Sequence, residues 1–246
     1  MPQSSTTELI VQSLHVSRFG TYARAADGDM DLALRLYLWN VRMAAAFHAT
    51  ISLTEVLLRN AVDGALREWN AGQPHLDGGL HSADWLLDPA RPLNSLTASA
   101  RKMAAINAGK ARAARPANHP RKHAEITHDD MLAQLTFGVF VKLLPTADIN
   151  DKTYRARKVL WDEALIHAFP AARDDPDGLI IADRAGRIHA LRNRVAHAEP
   201  LLDVNATARH RDMIRLVGTI NPKLQGWLAG TSTVRETERE RPAPKP

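Results

Sequence analysis

The chain has 246 residues, enough to bury a sizeable helical core, and its 45% hydrophobic and 24% charged residues are ordinary for a soluble globular protein. It contains no cysteine, which excludes disulfides, thiolate catalysis and cysteine-ligated zinc. A net charge of +5 and a sequence pI near 9.7 mildly favour a polyanionic partner.

Residues 1–11 lack the basic n-region and long apolar h-region of a secretory signal. With no apolar run of membrane-spanning length expected either, the sequence predicts a cytoplasmic protein that makes no membrane contact. Leu9, Ile10, Leu14 and Val16 predict a short helix over residues 7–19, capped by Thr6 or Thr7, with Gly20–Gly28 as a loop. From Met30 to Trp69 the pattern becomes regular. Met30, Leu34, Tyr37, Val41, Ala44, His48, Ile51, Glu55, Leu58, Val62, Ala65 and Trp69 recur at alternating steps of four and three without an intervening proline. This predicts one long N-terminal helix of about forty residues packed through that seam.

Gln73 to Leu93 is a Pro- and Gly-punctuated connection with a Trp85-Leu86-Leu87 anchor, and Asn94 or Ser95 opens a helix reaching residue 114. Between Arg101 and Ala124 stand Arg101, Lys102, Lys110, Arg112, Arg115, Arg121 and Lys122 without one acidic residue. Such a run is either a solvated surface or a track for a phosphate backbone, and it has no interleaved aromatics for base stacking. Thr127 with Asp129 and Asp130 starts a buried helix ending before Pro145. Residues 152–169 form an amphipathic helix stopped by Pro170, and residues 206–229 a last one broken at Pro222. Alternating β-branched segments are absent. The expected fold is therefore all-α, a single helical-bundle domain over residues 29–229, preceded by a helix and loop over 1–28 and followed by a disordered tail over 230–246.

The stretch Leu191-Arg192-Asn193-Arg194-Val195-Ala196-His197-Ala198-Glu199-Pro200 packs two guanidinium groups, an amide and an imidazole into six residues. Pro200 places the helix end just before Glu199 and His197 in the last turn, where the dipole favours a cation. Ile181, Ile188, Leu191 and Val195 fall on one narrow stripe, the predicted core face. Asn193 and His197, four apart, point away from it. An imidazole on a non-core face beside guanidinium groups suits a phosphodiester: Arg offers forked donors to phosphate oxygens, and His moves a proton to or from an oxygen. The bland reading is a solvated basic helix end. Glu55, with Arg59 one turn on, reads either as a locally paired carboxylate or as a group supporting a polar site.

The motif resembles the signature of the Abi-like (abortive-infection) family of HEPN-domain proteins: Arg, a polar residue, a short spacer, then His. Tyr37-Leu38-Trp39-Asn40 and Leu53-Thr54-Glu55-Val56-Leu57-Leu58-Arg59-Asn60-Ala61 resemble the family's N-terminal helix. Leu135-Thr136-Phe137-Gly138-Val139-Phe140 resembles its middle segment, and Trp161 its Leu-Trp element. The similarity runs over residues 35–227 in the same order. It implies a metal-independent endoribonuclease without a cofactor, acting on RNA as a homodimer whose two motif helices meet at the two-fold axis. It also implies a role as a phage-defence or toxin–antitoxin effector with an antitoxin or neighbouring-gene partner. Arg192, Asn193 and His197 then stand as the catalytic residues, with Arg194, Glu199, Glu55, Arg59 and Asn60 as supporting ones. The family often carries a second His where this chain has Ala198. Two other classes remain: a non-catalytic RNA-binding or sensor protein, and a metal hydrolase built on His119, His123 and His128 or on His197 with Glu199.

Overall fold

The computed structural model describes residues 3–14 and 16–243. Among them it has eleven α-helices, one 3-10 turn and no strand, so the all-α expectation holds. In chain order these are α1 (Gln3–Ser13), α2 (Val16–Ala25), α3 (Met30–Ala71), α4 (Leu93–Ala114), α5 (His128–Leu132), α6 (Phe137–Leu143), α7 (Tyr154–Glu163), α8 (Leu179–Ala196), α9 (Ala206–Ile220), α10 (Pro222–Thr231) and α11 (Val234–Arg239).

The chain forms two compact units, one from Met1–Thr54, Arg187–Arg215 and Lys223–Pro246, the other from Glu55–Gly186 and Leu216–Pro222. All four boundaries fall inside helices, α3, α8, α9 and the start of α10, rather than in Pro- or Gly-rich linkers.

In the first unit, residues 20–25 belong to a helix where a loop was expected. Phe19, Tyr22 and Ala26 share one helical face and are buried with Leu32, Ala33 and Leu36, while Tyr37 stands edge-on to Tyr22 at 5.4 Å. Gly20 reads as a breaker in sequence, but this packing outweighs its cost of about 1 kcal/mol. The turn comes later, at Asp27 (φ 50°) and Gly28 (φ 87°).

The long helix α3 has 42 residues, close to the length expected, but its buried face is not the one the heptad pattern selects. Ile51, Leu58, Val62 and Trp69 are buried as predicted, whereas Val41 is half exposed and His48 is exposed. Toward the N-terminus the buried set is Leu32, Leu36, Trp39, Met43, Phe47, Thr50 and Thr54. A strict heptad drifts about 20° per repeat on a straight helix, so over this length the two stripes diverge by roughly 100°. By length and composition α3 could cross a membrane, with an 18-residue window of mean hydropathy 1.3 that is 39% buried. That corrects the expectation that no segment is long and apolar enough. Its interior polar residues are nonetheless bonded within this unit. Asn40 Oδ1 accepts from the Leu201 amide at 2.6 Å, Thr50 Oγ1 lies 2.9 Å from Ser232 Oγ, and the Thr54 hydroxyl donates to Thr50 O.

The expected disordered tail is instead ordered through residue 243. Val234 is fully buried, Trp39 Nε1 donates to Thr237 O at 2.8 Å, and the Arg241 guanidinium lies over the Trp39 ring at 5.0 Å while donating to Leu202 O. These contacts use backbone carbonyls and one cation, so no apolar periodicity announces them. Residues 244–246 lie outside the described residues.

In the second unit, the single helix expected over 127–144 is two. Thr127 and Asp130 form a capping box that opens α5, and the chain breaks before α6 begins after Thr136, whose side chain makes no capping bond. The helix over 152–169 becomes α7 followed by a 3-10 turn, Leu165–Ala168. Gly178 (φ +70°) has Trp161 ring atoms 2.5 Å from where a Cβ would stand, so both backbone sign and space require glycine there.

Candidate functional site

α8 is built to hold its two ends. In the second unit the buried Asp175 carboxylate accepts from the Ile180 and Ile181 amides at 3.0 and 2.8 Å, satisfying orphan donors of the first turn. Ile181, Ala185, Ile188 and Leu191 are buried, confirming the predicted core stripe, and Val195 is only partly so. In the first unit Arg187 pairs with Asp212 of α9 through Nε and Nη2, both at 3.0 Å, and Arg209 reaches the same carboxylate at 3.0 Å.

The end of α8 is a Schellman turn. The Glu199 amide donates to Arg194 O at 2.9 Å and the Ala198 amide to Val195 O at 3.1 Å, with Ala198 left-handed at φ 52°. That conformation normally belongs to Gly or Asn and costs an alanine about 1 kcal/mol. His197 is thus the residue that leaves the helix, and its amide still bonds Asn193 O at 3.0 Å. Arg194 locks the turn from outside. Its Nη2 and Nη1 donate to Asp203 at 2.6 and 3.2 Å, Nη2 also reaches Pro200 O, and Nε lies 3.7 Å from Glu199. The Asp203 carboxyl is accordingly held below, and the Arg194 guanidinium above, their ordinary ranges. Arg194, one of the supporting candidates, thus holds the turn that presents His197. Asn40 secures the far side by capping the Leu201 amide.

What this scaffold presents is an exposed His197 at the mouth of a cavity of about 350 Å³, lined by Arg18, Thr21, Tyr22, Tyr37, Asn40, Val41 and the segment 197–200. Tyr37 and Asn40 of α3 meet the motif here. Arg192 and Asn193 are partly buried and are not among the lining residues. No described hydrogen bond or ion pair engages the side chains of Arg192, Asn193 or His197 among the described residues. The guanidinium in the cavity wall is Arg18 of α2, which sequence reasoning missed because its segment was read as a short helix and loop with no link to position 197. Tyr22 is pushed up to about 12, chiefly by burial and then by Tyr37, so its hydroxyl stays protonated.

Glu55 and Arg59 belong to the second unit, where they pair at 3.5 Å, the local pairing weighed above, while Asn60 is exposed. The basic run also lies in the second unit, and most of it serves the fold. Arg112 donates to Ala124 O, Lys122 to Ala113 O and Arg115 O, and Arg115 and Arg121 both clamp Asp130. Lys122 thereby finishes the C-terminus of α4, while the three arginines tie down the segment that runs from α4 to α5. His119, His123 and His128 do not form a ligand set. His128 is buried with Nε2 2.8 Å from Asp63, and His119 Nδ1 accepts from the Arg121 amide. A different set, His75, His81 and Asp88, is the one the fold brings together among the described residues.

No family model, no curated protein and no solved structure matches this chain.

Proposed function

We propose that the chain is a metal-independent endoribonuclease of HEPN type, with His197 as its proton-transfer group. The observation that carries the reading is an exposed imidazole, free of intramolecular partners among the described residues, at the rim of a cavity that also holds a guanidinium. His197 takes the proton of a ribose 2′-OH. The freed oxygen attacks the adjacent phosphorus, the P–O5′ bond breaks, and the 5′ oxygen leaves with a proton. The products are a 2′,3′-cyclic phosphate and a 5′-OH, and DNA, lacking the attacking oxygen, survives. Arg18 within the cavity and Arg192 on the same helix end are the two candidates for stabilising charge on the phosphate, and Asn193 for orienting it.

A homodimer completes the proposal. An isologous interface pairs like surface with like, so an interface at the helix end juxtaposes two motifs. Leu38 and Val41, about half exposed on the α3 face beside the cavity, supply apolar area for it. The buried, internally bonded polar residues of α3 support a core helix over a membrane span, and we place the protein in the cytoplasm. In that compartment the activity fits a phage-defence or toxin effector restrained by a partner protein.

The test is RNA incubated with purified protein in excess EDTA, comparing wild type with His197→Ala, Arg192→Ala and Arg18→Ala. Chelator-resistant cleavage is expected, reduced at least about a hundredfold in His197→Ala. Whichever arginine variant loses rate at unchanged binding identifies the phosphate partner. Salt-sensitive, stoichiometric RNA binding with intact product bands would instead identify a non-catalytic RNA-binding protein.

A further inference from the structure

We propose that His75, His81 and Asp88, on the connection between α3 and α4, bind one divalent transition-metal ion. Each offers one ligand atom, all lie within 4.8 Å of one another, and all three residues are partly buried. Asp88 Oδ1 stands 2.8 Å from His81 Nδ1 and 3.9 Å from His75 Nε2, and the imidazole rings are 4.6 Å apart. A tetrahedral ion with bonds of about 2.1 Å needs its ligand atoms about 3.4 Å apart, which small side-chain rotations supply.

The surroundings distinguish this cluster from a chance ion pair. His75 Nδ1 lies 2.9 Å from Asp77 Oδ1, so it donates there and leaves the Nε2 lone pair facing Asp88. The carboxylate at 2.9 Å, not the Asp77 amide at 3.4 Å, sets that tautomer. This is the outer-shell carboxylate–imidazole arrangement that orients metal-bound histidines. Asp77 is fixed in turn by the Gly79 amide at 3.0 Å, and Asp88 Oδ2 accepts from the Ser82 amide at 2.8 Å.

Beneath them Asn70 of α3, completely buried, holds the loop at three points. Its Nδ2 donates to Ser82 O and Asp88 O at 2.6 and 2.8 Å, and its Oδ1 accepts from the Ala90 amide at 2.9 Å. A buried amide spent wholly on the backbone beside His81 and at and beyond Asp88 pre-organises the ligand set.

Three protein ligands of two imidazoles and one carboxylate suit zinc or ferrous iron and leave a coordination position open. The ligands line a cavity of about 400 Å³ whose wall includes Arg91 and Asn94, so the open position is reachable by water or an anionic oxygen. The site is independent of the proposed nuclease chemistry, which needs no metal.

The experiment uses full-length protein stripped with chelator, titrated with Zn2+ by calorimetry and with Co2+ by visible d–d absorption. One ion per chain is expected. His81→Ala and Asp88→Ala should each weaken binding at least about a hundredfold, and Asp77→Asn about ten- to a hundredfold with the same stoichiometry. A His119→Ala/His123→Ala variant should bind as wild type does. Circular dichroism melts taken alongside separate lost ligands from lost fold, and the Asp77→Asn arm keeps the test informative if His81→Ala unfolds. No saturable binding, or binding indifferent to His81→Ala and Asp77→Asn in folded protein, overturns the site.

Discussion

Two histidines of this protein sit under opposite conditions. His128 is 2% exposed, its Nε2 donating to Asp63 Oδ1 at 2.8 Å, an oxygen that also accepts from Trp85 Nε1 at 2.8 Å. The Leu86 amide approaches His128 Nδ1 at 3.5 Å, so both ring nitrogens are in use. His197 is exposed at a helix end, its turn secured by other residues and its own ring uncommitted among the described residues. The same side chain is a structural pin in one place and, in the proposed reaction, a reagent in the other. The difference lies in whether neighbours satisfy the ring, because a buried polar group must be paired while an exposed one is free to meet a ligand.

The largest expected effect tests that contrast directly. Asp63→Ala strips a shared acceptor from buried Trp85 and His128 and should destabilise the fold by about 3 kcal/mol in urea denaturation. His197→Ala should change stability by less than about 0.5 kcal/mol while abolishing RNA cleavage. Were the two variants equally destabilised, the contrast would fail and His197 would be a packing residue.

A second, intermediate effect concerns Asp130, where the acidic partner of the basic run lies. The Thr127 amide foremost, then its hydroxyl and Arg115 and Arg121, hold this carboxyl at about 2, against 3.8 for an ordinary aspartate. A carboxyl depressed on folding contributes stability that is complete above its unfolded pKa and lost as the pH falls through its folded one. Wild type should therefore lose Tm progressively between about pH 4 and pH 2, and Asp130→Asn should flatten that segment while lowering Tm at pH 7. An unchanged acid limb in Asp130→Asn would mean that these cations are not serving the fold there, and would reopen the phosphate-track reading.

The smallest effect sharpens the account of the helix end. Ala198→Gly relieves a left-handed alanine and should stabilise by about 1 kcal/mol, with the Schellman turn intact. Cleavage should persist, since residue 198 contributes backbone to the turn and no side-chain chemistry to the proposal. A loss of stability instead would show that the alanine methyl packs to advantage.

The sequence by itself determined the helical class, the position of most helices, the end of α8 before Pro200 and the placement of His197 off the core face. These follow from local rules, namely 3.6-residue periodicity, proline stops and capping residues, which need no knowledge of the partner surface. What it misread depended on contacts between distant segments. A seam extrapolated at heptad spacing drifted off the true face of α3 because only packing fixes the helical phase over 42 residues. The tail over 234–239 is held by a tryptophan ring, a carbonyl and a stacked arginine, interactions invisible to hydropathy. Only the tertiary structure decided that Arg194 locks the turn, that Arg18 faces the cavity, and that His75, His81 and Asp88 converge. Side chains far apart in sequence acquire their roles when the backbone between them has been closed into loops, and that closure is a property of the fold.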